Sequence, residues 1–170
     1  MITSILYGCP YDSPYNLHES PLQNIDEQLL GKWHAFVQRA PGKNPPAEEE
    51  KVKVIFEKRT EMDYDFVISG NINELKRYHL VTNDSIKGTA YLSTIAGKQF
   101  LNAYIQGRVY IAEVIKDTSS ISILPLAEYF TSKLIKNSRE LRTAVEFHYK
   151  IKPVPGYDHL FFLKKLQREN

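Results

Sequence analysis

The chain has 170 residues, 42% of them hydrophobic, enough to bury the core of one domain but short for two of ordinary size. Its 22 basic and 20 acidic residues are interspersed and leave a formal charge of +2, so no charge excess points to nucleic acid or to an anionic surface as a partner. A single cysteine, Cys9, excludes an internal disulfide and any multi-cysteine zinc or iron–sulfur site.

In chain order, the first feature is the run Ile5-Leu6-Tyr7-Gly8-Cys9. Leu-x-Gly-Cys resembles the lipobox of bacterial lipoproteins, in which a peptidase cuts before the cysteine and its sulfur carries diacylglycerol. Tyr7 is bulkier than the small residue usual at its place, and residues 1–8 lack a basic region and a full-length apolar core. The expectation is that 1–8 is a truncated signal remnant, that Met1 is internal to a longer reading frame, and that Cys9 is lipidated; the alternative is an ordinary thiol near a frayed end. No apolar run approaches the ~20 residues of a membrane-spanning helix. Pro10 to Gln28 carries three prolines and no sustained apolar period, so residues 9–28 are expected to be a lipid-anchored flexible tether. Within Asn24–Leu30, the spacing of Ile25, Leu29 and Leu30 predicts a short helical turn that closes one mouth of the domain formed by residues 29–170.

From Gly31 the apolar period becomes two. Trp33–Arg39 reads as a strand, followed by a loop over 40–46 whose prolines and glycine cannot continue a ladder. Further strands are predicted at Lys51–Glu57, Tyr64–Ser69, Leu75–Thr82, Thr89–Ile95, Gln99–Gln106, Val109–Lys116 and Ser120–Leu124, joined mostly by short turns. Eight consecutive strands with short turns favour antiparallel neighbours and can remove both sheet edges by closing into an up-and-down barrel. After Pro125 the period turns helical: a helix over Glu128–Lys136, then a second one capped by Asn137, with Leu141, Ala144, Val145 and His148 on the face that meets the barrel. Leu160–Leu166 reads as a ninth strand returning beside the first.

Gly31-x-Trp33 at the opening of the first strand, the meander, the helix and the returning strand together resemble the lipocalin (calycin) architecture. The resemblance implies a mainly β fold, an eight-stranded antiparallel barrel with a C-terminal helical segment and a ninth strand, closed at one end by Gly31 and Trp33. It also implies a late basic residue over the indole, with Arg168 preferred to Lys165 for its planar cation. Gln106-Gly107-Arg108 stands where lipocalins carry Thr-Asp-Tyr. Gly8-Cys9-Pro10-Tyr11, Leu29–Trp33, Tyr91-Leu92-Ser93, Gly97–Asn102 and Leu124-Pro125-Leu126 are similar to lipoproteins of Bacteroidetes-type bacteria, a group that brings no activity with it. That likeness implies a lipid-anchored protein of the bacterial envelope, at the outer membrane.

Chemistry-bearing motifs are sparse. No zincin, nucleophile-elbow, phosphate-loop or Cys-x-x-Cys pattern occurs, so neither an enzyme nor a cofactor nor a metal is expected. His18, His34, His79, His148 and His159 lack ligand spacing; Asp63 with Asp65, Glu48–Glu50, and Tyr157-Asp158-His159 read as solvated strand, loop and turn. Tyr64, Phe66, Tyr78, Tyr91, Phe100, Asn102, Tyr104 and Tyr110 fall on alternating strand positions. If they point inward, they line a pocket for an apolar molecule with a polar handle; they equally suit a filled core. Two roles follow, a carrier of a small hydrophobic ligand or a protein-interaction module, such as an inhibitor or envelope assembly factor.

Overall fold

The computed structural model describes residues 10–36, 51–72, 81–131, 134–151 and 163–169. Among these residues nine strands form one antiparallel sheet: β1 (Asp12–Ser13), β2 (Gly31–Phe36), β3 (Lys51–Lys58), β4 (Tyr64–Gly70), β5 (Ser85–Ile95), β6 (Lys98–Ile105), β7 (Arg108–Lys116), β8 (Ser120–Pro125) and β9 (Leu163–Arg168). Strands β2 to β8 meander in sequence order, and β9 pairs with both β8 and β2, so eight strands close into a barrel. The remaining strand, β1, lies beside the start of β7, with Asp12 opposite Tyr110, below the point where β8 begins pairing at Ala112. The 14-residue helix α1 (Ser138–Ile151) connects β8 to β9.

The expected eight-stranded barrel is present, with one stave exchanged. Tyr64–Gly70 pairs directly with Ser85–Ala90, so the expected strand at 75–82 is not a stave between them; most of it lies outside the described residues, and Thr82 only closes a turn with Ser85. The C-terminal strand takes its place in the ring. The expected helix at Glu128–Lys136 is a single 3-10 turn, Glu128–Phe130. Asn137 does cap α1, its side-chain oxygen accepting the Glu140 N–H at 2.9 Å, while the Glu140 carboxylate accepts the Lys136 N–H at 2.9 Å.

Two apolar layers result. Alternate residues of every stave, among them Trp33, Val54, Phe56, Phe66, Ile86, Leu92, Leu101, Ala112 and Ile121, fill the barrel. The opposite faces of β5, β6 and β7 are also buried: Ile95, Phe100, Val109 and Ile111 pack under Leu17, Phe130, Leu141 and Val145. Residues 10–18 and α1 are therefore a second layer over one side of the barrel. This corrects the expectation of a flexible tether. Pro10, Ser13 and Leu17 are buried, the Tyr11 N–H donates to Leu126 O at 2.8 Å, and the tyrosine ring meets Phe130 edge-on at 4.7 Å. Cys9 itself lies outside the described residues.

Candidate functional site

At one end of the barrel a 3-10 turn (Glu27–Leu29) inserts Leu29 into the core. Trp33 stands beneath it, its indole Nε1–H donating to Leu29 O at 2.9 Å. Arg168, opposite Trp33 in the β2–β9 register, lays its guanidinium 5.5 Å from the ring centroid and donates to Leu30 O at 2.8 Å. Gly31 has φ of +116°, and a Cβ there would lie 3.3 Å from Arg168 Nη2, so the glycine both permits the bend and admits the arginine. Of the four residues expected at this closure, Gly31, Trp33 and Arg168 come together; Lys165 does not. Lys165 sits at the irregular β8–β9 pairing with φ of +50°, and its N–H donates to Ser122 Oγ at 3.0 Å. The same end is tied by Tyr64, whose hydroxyl accepts the Asp26 N–H at 2.5 Å, and by an ion pair of Lys116 with the Asp26 carboxylate. Burial pushes the Tyr64 hydroxyl up to about 12; the Asp26 carboxylate adds to the rise and the Asp26 backbone hydrogen bond opposes it.

Away from that end the barrel holds a cavity of about 80 Å³. Its walls are apolar side chains of β3 to β9, including Phe66, Ile86, Ala103, Tyr110 and Leu163, joined by Pro10 from the N-terminal segment. Of the aromatic set expected to point inward, Phe66 and Tyr110 reach this cavity, and Tyr64 is buried in the same interior beside Phe56, their rings 5.8 Å apart.

Tyr91, Phe100, Asn102 and Tyr104 do not point inward. They occupy the outer face of β5 and β6, since Ala90, Leu92, Leu101 and Ala103 take the inward positions, and Tyr78 lies outside the described residues. On that outer face Asn102 is fully buried and organises a polar clamp. Its Oδ1 accepts the Leu17 N–H at 2.7 Å, and its amide donates to Ser93 Oγ at 2.9 Å. Ser93 Oγ lies 2.9 Å from His18 Nδ1, the Tyr91 hydroxyl donates to His18 O, and Arg142 of α1 donates to Leu17 O at 3.1 Å. Burial, then the Arg142 charge, pushes the His18 imidazole below its ordinary value; burial, then Tyr104, pushes Tyr91 up. A second buried group joins α1 to the barrel: Glu113, paired with Lys98 at 2.7 Å, and Tyr149, pushed up by burial and then by Glu113.

The remaining expected features have structural employment or fall outside the described residues. Asp63 accepts the Thr60 hydroxyl at 2.6 Å within a turn, and Asp65 is exposed on β4. His34 lies 3.9 Å from Glu169, and His148 is buried on α1 against Phe130. Glu48–Glu50, His79 and Tyr157–His159 are not among the described residues, and no group of metal-ligating side chains forms among those that are. Sequence reasoning missed the clamp of His18, Ser93 and Arg142; the available signal was a serine and an asparagine placed two strand positions from large aromatics on β5 and β6. Comparison of the chain with family models, curated proteins and solved structures found no match.

Proposed function

We propose that this chain is a lipid-anchored protein of a bacterial envelope whose lipocalin-like barrel accepts a small apolar group. The observation that carries the reading is the 80 Å³ cavity with apolar walls. An apolar void holds water poorly and deprives its lining atoms of dispersion partners, so an apolar occupant is favoured there. The volume is below the ~150 Å³ of a void that takes a benzene ring, which selects a short alkyl group or the end of an acyl chain over a fused-ring molecule. Anchoring at Cys9 would place the lipid one residue from Pro10, a residue of the cavity wall.

Ala103→Leu tests the carrier reading, because the added carbons enter the cavity. The variant is expected to gain ~0.5–2 kcal/mol of stability, as cavity-filling changes commonly do, and to abolish the rise in melting temperature that straight-chain fatty acids produce in the native chain. No fatty acid raising the native melting temperature, together with a destabilised Ala103→Leu variant, would refute it. Anchoring has its own test. With a complete lipoprotein signal placed before Cys9, the chain should fractionate with membranes and carry a diacylglycerol mass, and Cys9→Ser should lose both.

A further inference from the structure

A separate cleft of about 520 Å³ opens where residues 18–22 meet the first turn of α1, on the outside of the barrel. We propose that this cleft binds a phosphate group, held between the guanidinium groups of Arg139 and Arg142 and the Nε2 edge of His18. All three residues line the cleft, together with Ser138.

The donors are held in place by contacts already made. Arg142 gives one N–H to Leu17 O at 3.1 Å, which fixes its guanidinium against the N-terminal segment and leaves its other N–H groups for a ligand. Arg139, two residues into the helix, has no side-chain partner among the described residues. Ser93 Oγ, which accepts from Asn102, lies 2.9 Å from His18 Nδ1 and anchors that side of the ring; in the tautomer in which Ser93 donates to Nδ1, Nε2–H is the donor left for the cleft. Burial, and after it the Arg142 charge, holds the His18 imidazole pKa down.

Charge and shape select the ligand class. Two guanidiniums face one carboxylate, the exposed Glu19, leaving a net positive cleft. The Asn137 cap already takes the Glu140 N–H, so the arginines and the histidine, not the bare helix end, define the site. Donors on two separate elements converge better on the spread oxygens of a phosphate than on the two coplanar oxygens of a carboxylate. Leu22, 68% exposed, forms an apolar rim beside them, where the remainder of a phosphate ester would lie. A phosphate can arrive free or as a lipid headgroup, and the chemistry of the cleft is common to both.

The test uses the full 170-residue chain and the His18 ring signals in NMR. Inorganic phosphate at constant ionic strength should move these signals saturably and raise the His18 pKa, while equivalent chloride should not. Arg139→Glu should weaken phosphate binding at least tenfold with an unchanged melting temperature. His18 signals that ignore phosphate, or an Arg139→Glu variant that binds as the native chain does, would overturn the assignment. Flotation with phosphatidylcholine vesicles containing phosphatidic acid, lost in Arg139→Glu, would identify a lipid headgroup as the source. Phosphate binding without flotation would identify a soluble phosphate, and either result supports the site.

Discussion

Tyr64 takes the Asp26 N–H on its hydroxyl oxygen, and its hydroxyl lies 3.1 Å from Asp26 O, stitching the plug turn to the barrel wall. Because its pKa rises from 10.0 to about 12, the folded state holds a proton that the unfolded chain releases earlier. This contribution to stability is complete below pH 10 and is lost as the pH climbs to about 12. Tyr64→Phe is expected to lower stability at neutral pH by ~0.5–1.5 kcal/mol, the net worth of a hydrogen bond, and to flatten the fall in denaturation midpoint across that alkaline window. An unchanged slope in the variant would show that other tyrosines govern it. At this scale Trp33 was legible, because a glycine two residues before the chain's sole tryptophan has few structural uses; its arginine came with the resemblance to lipocalins, which favoured Arg168. Lys165 was not, since one irregular pairing between β8 and β9 decides which basic side chain faces the indole.

Strands β5, β6 and β7 are buried on both faces for much of their length, and this removed the cue that assigns a residue to the inside. On β3, where Val52, Val54 and Phe56 alternate with more exposed residues, the inward set reads directly. On β5 and β6, Tyr91 and Phe100 look as suited to a core as Ala90 and Leu101, and a second layer covers the side they face. The layer was illegible for a related reason: residues 10–18 have no period of their own, because their partners are the barrel's outer face. Leu17, fully buried beneath α1, measures how firmly this layer is held. Leu17→Ala should cost ~2–5 kcal/mol and speed amide exchange at Tyr11, Tyr15 and Leu17 more than at the amides of β3 and β4. Equal acceleration everywhere would mean that layer and barrel unfold as one unit.

The whole molecule is a ring that its last strand completes. β9 occupies two edges at once, those of β2 and β8, and each would otherwise present unpaired N–H and C=O groups. Truncation after residue 162 should give a chain that aggregates and lacks a cooperative melting transition, whereas removal of Asn170 alone should be silent. A soluble, cooperatively folded truncation product would mean that the remaining staves close without β9. The architecture was legible from turn spacing and the returning strand. Which segments form the ring was not, because the stretch at 75–82 has the composition of a stave without a place between its neighbours.

The hydrogen bond from Arg168 to Leu30 spans 138 residues of sequence. A ribosome making this chain therefore releases the residue to be stapled long before the residue that staples it, and no closed barrel can exist until β9 has emerged. The final seam stays open until then, and the order in which the staves are made leaves ring closure to residues 163–168.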